Sequence, residues 1–271
     1  MPRADSHPWF LKHPACYHNI LWHWDQASPA EQANGLRWYG DARQVAAAIA
    51  AGNTALGAGM LAVYSPQQGW IANVVNAARV LREGRGIGGP GSGIFASTLQ
   101  RQAADRLLAG EPSADVLIGP KIRAFAALIE HGGDVDAHQP QVVIDRHALS
   151  VVCGRPLTAK EYETAPLGAH QRKDGSLSHP HYDRVVQLYV RAAIIIARRE
   201  NRSVAAHQVQ AVTWLVRQRL NQQAEQCRGA SPLDKGRAVA RARAEQTWLQ
   251  FRADYLPGLD RYPGTGYLAA A

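Results

Sequence analysis

Cysteine is scarce and dispersed. Three residues, Cys16, Cys153 and Cys227, occur in a chain of 271, and none forms a CxxC pair. That argues against a zinc ribbon, a four-cysteine iron–sulfur cluster and a disulfide scaffold. No apolar run approaches the ~20 residues of a membrane span. The stretch Ala192 to Ala197 stops after six residues, between Arg191 and Arg198. The first residues, MPRADSHPWFLKHPACYHNILWHW, are broken by Pro, His and charge, so no signal peptide is expected there. The phosphate-binding string GxxxxGK(S/T) is missing. Strand-like alternation is nearly missing as well, with Gln141 to Ile144 the one short candidate. Acidic residues are outnumbered: 30 Lys and Arg face 22 Asp and Glu, a net charge of +8. Such a surplus favours a polyanionic partner, with nucleic acid the first candidate. The expectation is a reduced, cytoplasmic chain with no membrane segment.

What the sequence does contain is helical periodicity. Hydrophobic residues make up 46% and charged residues 19%, which excludes a disordered chain and leaves enough apolar mass for a core. Val74, Ala77, Ala78 and Leu81 fall at i, i+3, i+4, i+7, as do Ile122, Phe125, Ala126 and Ile129. Val186, Tyr189, Val190, Ala193 and Ala197 repeat the pattern, and Val209, Val212 and Val216 carry it again. Ser203 precedes one stripe, and Ser231-Pro232-Leu233-Asp234 reads as a further helix start. The spacing predicts a mostly α protein of eight to ten helices.

Three segments read as irregular. Residues 1–35 look like an arm rich in His and aromatics, residues 84–93 (GRGIGGPGSG) like a flexible connection, and residues 154–182 like a long loop. Gly84, Gly86 and Gly89 satisfy GxGxxG as a string. They follow a helical stripe rather than a strand, so a dinucleotide site is not expected. His13, His18 and His23 recur every five residues, which does not set two ligands on one helical face, and aromatic packing accounts for them. No metal or cofactor is expected.

Two segments remain. Val116-Leu117-Ile118-Gly119-Pro120-Lys121-Ile122-Arg123 joins one helix to the next through a tight Gly-Pro turn, and backbone N–H groups at such a start can hold a phosphate. Val142-Val143-Ile144-Asp145-Arg146-His147-Ala148 delivers one carboxylate, on an apolar run, to the mouth of another helix.

With these residues, and with Ala62-Val63-Tyr64-Ser65-Pro66-Gln67 upstream, the chain resembles the helix-hairpin-helix, endonuclease III-like DNA glycosylase superfamily. Leu117, Gly119 and Lys121 fit that family's hairpin, Ile144 to His147 its aspartate motif, and Tyr64 to Gln67 its early glutamine segment. The order agrees over residues 55–152. The pattern WYxxA, SPQxxWxxN, GPKxxxF, DRHA is similar to a phage and bacterial branch without the iron–sulfur cluster. The hairpin departs in having Ile118-Gly119-Pro120 where GxG is usual, and HGGDVDAHQP lengthens the gap before Asp145.

The resemblance implies an all-α, bilobal fold: an arm over 1–41 belonging to the second lobe, a contiguous lobe over 42–150, and a loop with C-terminal helices over 151–271. It implies a double-stranded DNA partner and the cleavage of an N-glycosidic bond. Asp145 would stabilise the sugar cation, or serve simply as a helix N-cap. Lys121 would attack C1′ as a neutral amine and permit strand cleavage, or pair with a phosphate. Gln67 would fill the gap left by a flipped nucleotide, or start a helix. Trp70, Asn73 and Tyr39 would line a base pocket or pack in a core. Gly119, Arg123, Arg146 and His147 would meet DNA, with His147 packed at the helix start rather than carrying a proton. Lys235, Arg237, Arg241 and Arg243 could extend the basic track. The substrate base would be damaged or deliberately modified, the second fitting an antiphage role. A catalytically silent DNA-binding module, or an RNA binder, is the alternative.

Overall fold

The computed structural model describes residues 7–66, 68–134 and 140–227. These form twelve helices and one small hairpin, so the all-α expectation holds at the level of class. In chain order they are α1 (Pro8–Lys12), α2 (Tyr17–Asp25), α3 (Pro29–Ile49), α4 (Thr54–Tyr64), α5 (Trp70–Glu83), α6 (Thr98–Leu108), α7 (Ser113–Val116), α8 (Pro120–Glu130), α9 (Arg146–Val152) and α10 (Ala159–Glu163). Strands β1 (His170–Gln171) and β2 (Leu177–Ser178), α11 (Pro180–Glu200) and α12 (Ala206–Cys227) follow. No single described helix is long and apolar enough to cross a membrane.

Local chemistry explains the boundaries. Ser97 and Gln100 form a reciprocal capping box at α6, and Thr158 and Glu161 form another at α10. Asn53 caps α4 through Leu56 N–H. Gly84 ends α5 in the left-handed region, φ 66°, so the first glycine of the GxGxxG string is a helix terminator.

The chain divides into two compact units. Described residues of the first fall within 1–38, 119–121 and 135–224. Here α2, α9 and α11 pack on one another around Ile20, Trp24, Ile144, Leu149, Tyr189 and Ile196, all fully buried. The first half of α3 meets α12 so closely that a Cβ on Gly35 would lie 2.4 Å from Val212 Cγ2. Described residues of the second unit fall within 39–118, 122–134 and 225–227. Its centre is α4, buried from Gly57 to Tyr64 and packed against α5, α6 and α7. The carbonyls of the last turn of α4 are satisfied by side chains: Asn73 Nδ2 donates to Leu61 O at 3.0 Å, Ser65 Oγ to Ala62 O at 2.9 Å and Gln100 Nε2 to Val63 O at 2.8 Å.

Several expectations change. The supposed arm is helical from Pro8 onward, because α1 and α2 bury Trp9, Phe10, Ile20 and Trp24 in the first unit's core. The supposed loop over 154–182 holds α10 and the β1–β2 hairpin, closed by a turn in which Gly175 has φ 82°. Gln141 to Ile144 is not a strand. Described residues 140–150, with Asp145, group with the first unit. The Ser231-Pro232 start and the cations Lys235, Arg237, Arg241 and Arg243 lie outside the described residues.

Candidate functional site

Apolar burial fixes the chain on either side of the candidate turn before Lys121. Val116 and Leu117 are buried, whereas Ile118 between them and the turn is 81% exposed. Gly119 has φ 89°, a conformation that favours glycine, and α8 begins at once with Pro120 in its first position. Arg123 reaches back one turn, its Nε donating to Leu117 O at 2.7 Å, which ties the start of α8 to the end of the preceding connection. Arg123 thus secures the connection, whereas no such tie engages Lys121 among the described residues.

The carboxylate segment is built differently. Val142, Val143 and Ile144 are buried, so their backbone needs partners away from water. Tyrosine hydroxyls supply them in place of a neighbouring strand. Tyr182 Oη donates to Val142 O at 2.7 Å and accepts from Ile144 N–H at 3.2 Å, while Tyr162 Oη donates to Ile144 O at 3.2 Å. The segment delivers Asp145 to the N-cap of α9, where Oδ1 accepts from Ala148 N–H at 2.7 Å. Tyr189 Oη, fully buried on α11, donates to Ala148 O at 2.9 Å and anchors the same turn.

The second oxygen of Asp145 is also occupied. Trp214 Nε1, on α12, donates to Oδ2 at 2.9 Å. His147 meets the same indole edge-on, ring centroids 5.8 Å apart at 84°. Burial is the main influence pushing the His147 imidazole below its usual range; Asp145 pulls it up, and Arg146, Arg217 and Lys121 push it down. Three cations are thus within electrostatic reach of an imidazole two residues from Asp145, and His147 is neutral at pH 7. Arg217 is only 5% exposed, yet it faces a histidine rather than a carboxylate, its guanidinium donating to His23 Nε2. His23 in turn uses Nδ1–H on Asn19 O at 2.6 Å, the tautomer that leaves Nε2 free to accept.

So the structure brings together Asp145, Arg146, His147 and Lys121 from the sequence reading, all in the first unit, and adds Trp214 and Arg217, which sequence reasoning missed. Their only local signal was a polar face recurring along α12 at Gln210, Thr213, Trp214 and Arg217, at spacings of three and four residues. That the Asp145 carboxylate caps α9 was one of its two expected roles.

The second unit holds the remaining candidates. Asn73 is 2% exposed and donates its amide N–H to the end of α4. Tyr39 is buried, and Trp70 is the first residue of α5. Gln67 lies outside the described residues. Among the described residues no three His, Cys, Asp or Glu side chains gather in a metal-holding group. Burial pushes the Cys153 thiol up to about 12, which keeps it protonated and unreactive.

A family model described as "Family of unknown function (DUF7178)" matches residues 10–223, and the chain belongs to that family. No curated protein and no solved structure matches it.

Proposed function

We propose that this member of a family of unknown function is a DNA glycosylase that takes a base out of duplex DNA and hydrolyses its N-glycosidic bond, leaving an abasic site. The observation that carries the reading is Asp145: a partly buried carboxylate held at both oxygens, with the charges of Lys121, Arg146 and Arg217 felt at its neighbour His147. A fixed anion among cations suits a reaction in which a sugar becomes positively charged while its phosphates stay negative.

Within this reading the bond from C1′ to the base breaks and the base leaves with the electron pair. Asp145 stabilises the oxocarbenium-like sugar; water attacks C1′ and gives up one proton, and the departing base gains one. The exposed Ile118 and the Gly119 turn meet the DNA backbone, where Lys121 pairs with a phosphate. The same Lys121, as a neutral amine, would attack C1′ in an enzyme that also cuts the strand. Gln67 enters through the resemblance alone, as the residue filling the gap left by the flipped nucleotide. The enzyme works in the cytoplasm, and its substrate is a damaged base or a deliberately modified one of the kind carried by invading phage DNA.

The test is base release. Protein incubated with unmodified, lesion-bearing and hypermodified duplex DNAs produces aldehyde-reactive abasic sites on one class, and Asp145→Asn produces none. Retained duplex binding with no abasic sites on any substrate would replace the enzyme with a binding module. Tighter binding to RNA than to duplex DNA would remove both readings.

A further inference from the structure

We infer that Trp214 is the positioning residue of the proposed reaction: its indole N–H, bonded to Oδ2, holds the Asp145 carboxylate in one orientation. The inference rests on the glycosylase reading above and deepens it by assigning what sets the orientation of the carboxylate.

An N-cap needs one oxygen. Oδ1 meets that need through Ala148 N–H at 2.7 Å, and nothing about α9 calls for a second donor. The second donor comes from a distant part of the chain, 69 residues on, at 2.9 Å. Both donors are obligate: a backbone N–H and an indole N–H can give a proton but cannot accept one. Donors on both oxygens, one from α9 and one from α12, remove the rotational freedom that a cap alone leaves the carboxylate.

Trp214 is itself held firmly. Val212, Thr213, Leu215 and Val216 around it on α12 are all buried, and Thr213 Oγ1 is bonded back to Val209 O at 2.8 Å. Its ring carries His147 edge-on. The cations Arg146, Lys121 and Arg217 all act electrostatically on that imidazole, two residues from Asp145.

The experiment measures base release and duplex binding by the full chain, together with the indole N–H resonance of Trp214. In Trp214→Phe, which keeps a ring and removes the donor, turnover at saturating DNA falls roughly 10- to 100-fold while DNA affinity holds. Trp214→His, which restores a ring N–H, recovers part of the loss. Unchanged turnover in a folded Trp214→Phe overturns the inference. If that variant fails to fold, the indole N–H resonance of the wild-type protein decides: it shifts in Asp145→Asn, and a resonance indifferent to that change overturns the lock. An indole resonance coupled to Asp145 in a protein that releases no base from any DNA instead sinks the glycosylase reading and leaves the Trp214–Asp145 pair standing.

Discussion

The Tyr182 hydroxyl stands between two backbone groups of the segment that carries Asp145, giving its proton to Val142 O at 2.7 Å and accepting from Ile144 N–H at 3.2 Å. A buried extended segment ordinarily satisfies its backbone in a sheet. Here a side chain from α11 does it, so the position of Asp145 depends on a residue 37 places away.

Removing that hydroxyl leaves Ile144 N–H buried and unpaired. Tyr182→Phe should therefore lower stability by about 1–3 kcal/mol in urea denaturation. It should also reduce base release, because the carboxylate it helps to place gains freedom. An unchanged unfolding midpoint would mean that water takes over the bond.

Under the proposed function, the capping and the catalytic roles of Asp145 would be separable. Asn caps helices about as well as Asp, so Asp145→Asn should keep the thermal midpoint within a degree or two and retain duplex affinity, yet lose at least ~100-fold in abasic-site formation. Asp145→Ala should lose activity and, in addition, about 1 kcal/mol of stability through the missing cap. Equal activity in Asn and wild-type proteins would reduce Asp145 to a cap.

The Gly119 turn offers a third comparison. A Cβ at Gly119 meets nothing within 4 Å, so Gly119→Ala suffers only from its φ of 89°, a cost of about 1 kcal/mol. Ile118→Ser should leave stability unaltered because the side chain is already in water, but weaken duplex binding in mobility-shift titrations. Lys121→Ala should flatten the log–log salt dependence of binding by about 0.9 if one phosphate contact is lost. Wild-type affinity and slope in both variants would take the turn out of the proposed DNA interface.

Acid stability tests the buried histidines. Burial is the chief cause that brings His23 and His207 from 6.5 to about 4. As pH falls from 6.5 towards 4 the unfolded chain takes up protons at both residues while the folded chain does not, so stability present above 6.5 is progressively lost over that window. The thermal midpoint should fall there, and His207→Leu should make the fall shallower. A flat midpoint across the window would mean that both imidazoles charge inside the fold.

How far the sequence could be read depended on the kind of signal each element carries. The long amphipathic stripes were plain: Val74 to Leu81 lies in α5, Ile122 to Ile129 in α8, Val186 to Ala197 in α11 and Val209 to Val216 in α12. Helices α1 and α2 were not, because five- and nine-residue segments give too few turns for periodicity to register, and their Trp and His residues are shared between core packing and surface. The hairpin carries a local mark, Asp174-Gly175, with Asp174 Oδ1 accepting from Ser176 N–H at 3.0 Å. Gln141 to Ile144 misled in the other direction. Its apolar pattern reports burial correctly, but a pattern cannot say whether a strand or a tyrosine satisfies the backbone.

By itself, then, the sequence determined the helical class, the amphipathic stripes of α5, α8, α11 and α12, the turn at Gly119 and the placement of a carboxylate at the mouth of α9, since each is written in residues within a few positions of one another. Tertiary structure alone decided that Trp214 holds the other oxygen of Asp145, that Tyr182 and Tyr162 support the segment before it, and that Arg217 is buried against a histidine. Those contacts join residues up to 194 positions apart, and such distances are closed only by packing a whole core, a quantity no local pattern encodes.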